Sequence, residues 1–189
     1  GVYILTPGQS DGIFESKLLY YDLNNLDFEN PEKPASQISL GNNLAIAMRA
    51  TNNRCWILTE NALFVMLSSG EMAAQYPFDG KYLRRANLNG TDFAALLISS
   101  FPSGNTATLC TVDADGKVLN SIELESQGLA RAAYGRYVGV LTSSSLRIYT
   151  KDLTEISKSD NVQGARNLVL YPDGTASLIT DELARIYIP

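Results

Sequence analysis

Residues 167–189, NLVLYPDGTASLITDELARIYIP, set three short apolar runs between two polar turns. NLVL, ASLI and ARIYI are short apolar runs bounded by turn residues, and Pro172-Asp173-Gly174 supplies the residue types of a tight reversal. The stretch predicts a strand, an Asp-Gly turn, a second strand, a short polar loop and a third strand.

The same arrangement recurs upstream. ATNNRCWILT (50–59), NLNGTDFAALLIS (87–99), AAYGRYVGVLT (132–142) and YPDGTASLIT (171–180) each set a turn before an apolar run that ends in Thr or Ser. Anchored on Asn53, Gly90, Gly135 and Gly174, the motif repeats at spacings of 37, 45 and 39 residues, within the range of repeat architectures. A further strand follows each run, in ALFVML, TATLCTV, SLRIYT and LARIYI, and turns such as SSGE, DADGK and TKDLTE lead on to a more polar one. Counting the strand before each turn, the repeat is four antiparallel strands, a to d. VYILT with KLLYYDLNNLDF is an earlier copy of the middle portion.

Four strands in roughly 40 residues is what a β-propeller blade needs, because each twisted sheet buries both faces against its neighbours. A β-sandwich would use similar strands but gives no reason for matched turns at blade spacing. The expected fold is therefore all-β: a single propeller domain or fragment with four-stranded antiparallel blades. Four to five blades are expected, over approximately 1–43, 44–81, 82–128, 129–164 and 165–189. The first copy shows b, c and d without a, and the last shows a, b and c without d. On a ring these gaps adjoin, so the propeller is expected to be incomplete at its N-terminus and to close through an upstream segment that hides an open edge.

Composition narrows the functional classes. At 189 residues, 45% hydrophobic and 19% charged, the chain suits one soluble globular core. Its 15 basic and 20 acidic residues leave a net charge of -5, so no overall positive field exists to hold nucleic acid or an anionic membrane surface. The longest apolar run, Phe93 to Ile98, is too short to cross a bilayer. Cys55 and Cys110 fall inside strand-like runs and read as free buried thiols.

The chain contains no histidine, which removes the Ser-His-Asp and Cys-His nucleophilic arrangements, imidazole bases and His-based metal sites. Glycoside hydrolysis by paired carboxylates would need acids on inner strands. The inner strands LAIAMRA, YLRRANL, LARAAY and RNLVLY carry no Asp or Glu, so no catalytic residue is assigned. They carry instead Arg49, Arg84, Arg85, Arg131 and Arg166, five of the nine arginines. If Arg85, Arg131 and Arg166 occupy comparable positions on successive blades, their guanidinium groups converge near one channel mouth and bind a carboxylate, a phosphate or an acidic peptide. The alternative is that each pairs with a nearby acid or carbonyl and ties blades together.

Other motifs read as structure. TVDADG (111–116) lacks the leading Asp and the closing Glu of a calcium loop and fits a tight turn between strands c and d. NGT (89–91) matches a glycosylation sequon but occupies the place of DGT in the last repeat, where a hairpin turn explains both. No nucleotide cradle, zinc pattern or CxxC pair is present, so no metal and no cofactor is implied. Trp56, Phe64, Tyr20, Tyr21, Tyr149 and Tyr187 fall where blade faces pack. ENPEKPASQ (29–37) and SFPSGNT (100–106) are the most loop-like connections.

The stretch YVGVLTSSSLRIYTKDLTEISKSDN (137–161) resembles the blade repeats of quinoprotein-like and WD-type bacterial propellers, without the Trp-Asp dipeptide or a quinone-cofactor signature. More specifically, the chain is similar to an uncharacterised Gram-positive family in which a short cytoplasmic segment and one membrane-spanning helix precede an extracytoplasmic propeller. That resemblance implies an upstream anchor and a domain at the bacterial cell surface. The expected function is non-enzymatic binding or scaffolding of a protein or cell-envelope component. The alternatives are an enzyme with catalytic carboxylates in N-terminal blades outside this sequence, and a sensor of a small anionic ligand. Open blade edges make a homodimer an expectation.

Overall fold

Phe93–Ser99 is an unbroken run of apolar and small residues closed by Ser, and in the computed structural model it is a strand buried along its whole length. Such a run needs cover on both faces and both edges, and the fold provides it repeatedly. The structure describes residues 1–10, 12–51, 54–67, 69–103, 106–125 and 130–189. The Asn53 anchor, Ser68 of SSGE, Gly104 and Asn105 of the 100–106 loop, and the 128/129 blade boundary lie outside the described residues. Among the described residues there are eighteen strands and no helix, and neighbouring strands of each sheet pair antiparallel in sequence order.

The chain divides into two compact units. The first holds Gly1–Gly80 with Ala114–Gly116. In it β1 (Val2–Ser10), β2 (Ile13–Tyr21) and β3 (Ser36–Ser39) form a three-stranded sheet, and β4 (Ala45–Ala50), β5 (Arg54–Thr59), β6 (Ala62–Leu67) and β7 (Met72–Pro77) a four-stranded one. Leu18 and Leu40 pack with Cys55, Ile57, Phe64 and Met66 to join the two sheets. The Tyr3 hydroxyl donates to the Leu67 carbonyl at 2.8 Å, and the Ala45 amide donates to Ser16 Oγ at 3.1 Å. Cys55 is a free, buried thiol, and burial pushes its pKa up to about 12.

The second unit holds Lys81–Asp113 and Lys117–Pro189. Two of its sheets have four strands: β8 (Tyr82–Asn87), β9 (Phe93–Ser99), β10 (Thr106–Asp113) and β11 (Val118–Glu125), then β12 (Ala130–Tyr134), β13 (Tyr137–Leu141), β14 (Leu146–Thr150) and β15 (Glu155–Ser159). The last has three: β16 (Asn167–Leu170), β17 (Ala176–Ile179) and β18 (Ala184–Tyr187). Phe93, Leu97 and Leu109 of the first sheet pack with Val138, Val140 and Tyr149 of the second. Leu141, Leu146 and Ile148 pack in turn with Leu168, Leu170 and Leu178 of the third. The middle sheet of this unit, β12–β15, is thus packed on both faces, the condition that the repeat pattern anticipates. Gly139 lies close against the next sheet. A Cβ there would lie 2.8 Å from Leu168 Cδ2, so a side chain fits only if the Leu168 side chain shifts.

In the three four-stranded sheets the last pair carries a register shift, between Val65/Met66, Thr111/Val112 and Ile148/Tyr149. Bulges of this kind raise the local twist, and a twisted sheet is the shape that stacks radially. Asp113 to Lys117 is a tight turn closed by the Asp113 amide on the Lys117 carbonyl at 2.9 Å and by the Lys117 amide on Asp113 Oδ1 at 2.8 Å. Trp56, Phe64 and Tyr149 are buried, whereas Tyr20, Tyr21 and Tyr187 are only half-buried.

Candidate functional site

The arginines of the inner strands part company at a bulge. In the β8–β9 pair Leu83 opposes Ile98 and Arg85 opposes Leu97, so Arg84 is the extra residue. Directly paired residues share a face. The bulge therefore puts Arg85 on the face of Leu97 and Leu109, which looks toward the next sheet, and leaves Arg84 outside the pairing. The Arg84 guanidinium donates instead to the Pro102 carbonyl of the β9–β10 connection. No bulge occurs in the β12–β13 pair, where Arg131 opposes Val140.

These two registers bring Arg85 and Arg131 to one cavity of about 130 Å³ between adjacent sheets of the second unit. Its apolar wall is formed by Ala95 and Leu97 of β9, Leu109 of β10 and Val138 of β13, with Ala86, Asn87 and Ala132 at the inner strands. No carboxylate lines it. Asn87 Oδ1 is occupied, accepting from the Asn89 amide at 2.8 Å.

The electrostatics follow from this lining. Arg131 Nε is fully buried and has no hydrogen-bond partner. Burial pushes the Arg131 guanidinium below its ordinary range, and the positive charge of Arg85 pushes it the same way. An arginine does not give up its proton in a protein. The cavity thus sets Arg131, whose Nε has no partner, beside a second arginine with no acid in the wall.

Arg166 does not share this cavity. It lies one residue before β16, where its amide donates to the Ile179 carbonyl at 2.8 Å, and its guanidinium pairs with Asp181 Oδ2 at 2.8 Å. Both side chains are largely exposed, at 74% and 64%. Of the three arginines singled out by sequence, two converge and the third has its own carboxylate. Asn87 and the apolar wall were not singled out; the alternation of NLNGTDFAALLIS could have suggested Leu97 but not its pairing with Arg85. Among the described residues no group of three or more acidic or Cys side chains is placed to hold a metal ion. No described helix is long and apolar enough to cross a membrane.

No protein-family model matches the sequence, and no curated protein matches it. Solved structures do match its fold. KlHsv2 with loop 6CD replaced by a Gly-Ser linker superposes with a TM-score of 0.56 at 10% identity, over 92% of this chain and 56% of that one. BBS1N, solved in complex with ARL6DN, superposes at 0.54 and 10% identity, over 92% and 60%. The N-terminal domain of Nup159 superposes at 0.50 and 13% identity, over 93% and 52%. The chain spans little more than half the length of these structures. They are β-propeller-like, and with the five antiparallel sheets they establish the expected fold class: an all-β propeller architecture built of blades of up to four strands. The comparisons lend no support to membership of the membrane-anchored bacterial family.

Proposed function

We propose that the chain is a non-enzymatic binding or scaffolding propeller, displayed outside the cytoplasm at a bacterial cell surface, which captures an anionic group of a protein or cell-envelope component between Arg85 and Arg131. The observation that carries this reading is the buried Arg131 Nε without an acceptor, beside a second guanidinium in a cavity free of carboxylates. A histidine-free sequence with no acid on its inner strands favours binding over catalysis. BBS1N was solved in complex with ARL6DN, and protein capture by a propeller of this kind is in keeping with that precedent. The surface location rests on the sequence resemblance alone, and protease shaving of intact cells tests it.

Fluorescence anisotropy with a labelled oligoglutamate peptide tests the anion reading. The native chain binds, and Arg131→Gln weakens binding at least ~10-fold, the range of a lost charge-assisted hydrogen bond. Equal affinity in both proteins overturns the site.

A second association is proposed for β18. Its outer edge has no partner strand among the described residues, and Ile186 and Ile188 are 71% and 77% exposed. Open apolar edges recruit other strands, so two copies pair along β18. Light scattering reports a mass that rises with concentration; a strict monomer at millimolar protein rejects the dimer.

A further inference from the structure

The walls of the Arg85–Arg131 cavity carry more information than its charge. Resting on the anion reading above, we infer that the cavity selects a monocarboxylate on a short aliphatic arm, either a free short-chain acid or the acidic side chain of a partner protein, over tetrahedral oxyanions such as sulfate and phosphate.

Three observations converge. Size comes first. At about 130 Å³ the cavity lies well below the 300–1,000 Å³ of sites for drug-sized ligands. That size suits one side chain or its free analogue better than a whole nucleotide or an extended cofactor. Shape of the donor set comes second. The unmade donor is Arg131 Nε, and a guanidinium offers paired donors in one plane that match the two oxygens of a carboxylate.

The third observation decides between anions. Leu97, Leu109, Val138 and Ala95 form an apolar wall, and all four are buried members of the core between the two sheets. A doubly charged tetrahedral ion presents oxygen in every direction, so some of its oxygens would face these walls without a donor, at a high desolvation cost. A short aliphatic carboxylate has one polar end and one apolar end. Its oxygens meet Arg85 and Arg131 while its methylenes leave water against the leucines and valine, each contributing about a fourfold gain in affinity. Carboxylate and arm together match both halves of the cavity, and the absence of an acid in the lining leaves that place open to the ligand.

Isothermal titration of the full chain in low-chloride buffer tests this with sodium acetate, butyrate, sulfate and inorganic phosphate. Two blocked tripeptides, Ala-Glu-Ala and Ala-Gln-Ala, complete the set. Butyrate is expected to bind about 16-fold tighter than acetate, from its two added methylenes, with sulfate and phosphate weaker than either. Arg131→Gln and the more exposed Arg85→Gln each lower butyrate affinity at least ~10-fold, and retained circular dichroism shows that the sheets persist. Tighter binding of the glutamyl peptide than of butyrate assigns the cavity to a partner's side chain; the reverse assigns it to a free acid, and the glutaminyl peptide does not bind in either case. Sulfate or phosphate binding more tightly than butyrate, with loss in Arg131→Gln, overturns the carboxylate inference while the anion site stands. Binding of none of the anions overturns both.

Discussion

Arg131 and Arg166 belong to the same sequence pattern, an arginine near the start of an inner strand, and the fold gives them opposite environments. Arg131 lies inside β12, half-buried between two sheets, with Arg85 as its charged neighbour and no acceptor for Nε. Arg166 lies just outside β16, exposed, with Asp181 of the β17–β18 connection at 2.8 Å. One residue of register and one acid separate the two. A guanidinium whose partner is already on the chain has little left to offer a ligand, and an exposed pair of this kind contributes ~0–1 kcal/mol. A buried Nε without an acceptor raises the energy of the empty protein, and on the proposed reading an arriving anion relieves it. The same residue type is thus a surface ion pair in one repeat and a candidate receptor in another.

Supplying the missing acid breaks the comparison most directly. Asn87 lines the cavity with both arginines and uses its Oδ1 to accept the Asn89 amide, a bond that an aspartate keeps. Asn87→Asp therefore gives Arg85 and Arg131 what Asp181 gives Arg166. Stability should rise by about 1–3 kcal/mol, the range for hydrogen bonds to charged groups, and butyrate affinity should fall at least ~10-fold because the place is taken. The introduced carboxylate titrates below the ordinary aspartate value near 3.9 when its partners are cationic. The gain is accordingly complete at neutral pH and disappears as the pH falls through the depressed value. Urea unfolding at pH 7 and pH 3 measures it; a variant no more stable than the native chain at pH 7 shows that the two guanidinium groups do not face the Asn87 side chain.

This contrast also marks what the sequence could carry. The strands and the burial of RCWILT, FAALLIS and YVGVL follow from short unbroken apolar runs between turn residues, and the sheets conform to them. The concentration of arginine on inner strands was equally visible. The β8 bulge was not, because LRRA reads as a regular strand whichever arginine is the extra residue, and that choice sends Arg85 to the cavity and Arg84 to the Pro102 carbonyl. Nor was the Arg166–Asp181 pair, which depends on how a loop between two later strands returns to the start of an earlier one. LARIYI reads as buried as ALFVML does. Yet β18 is largely exposed while β6 is covered; β6 has a fourth strand beside it and β18, among the described residues, has none.

The smaller effects sharpen the comparison by removing charge instead of adding it. Methionine keeps the flexible apolar stem of an arginine without its head. At Arg131 the change removes a buried unpaired donor and a repulsion with Arg85, so the empty protein should gain about 1 kcal/mol, which for a chain of this size raises the melting temperature by about 2–4 °C. At Arg166 the same change removes only an exposed ion pair, and the shift should stay within about 0.5 kcal/mol in either direction. Thermal unfolding of Arg131→Met and Arg166→Met in anion-poor buffer reads both. Saturating butyrate then separates a strained site from a merely awkward core position. The native chain and Arg166→Met gain stability in proportion to the logarithm of ligand concentration over its dissociation constant, whereas Arg131→Met gains almost none. The order of melting temperatures without ligand therefore inverts with it. If Arg131→Met stays the more stable protein at every butyrate concentration, the Arg131 guanidinium is a cost of packing and not a receptor.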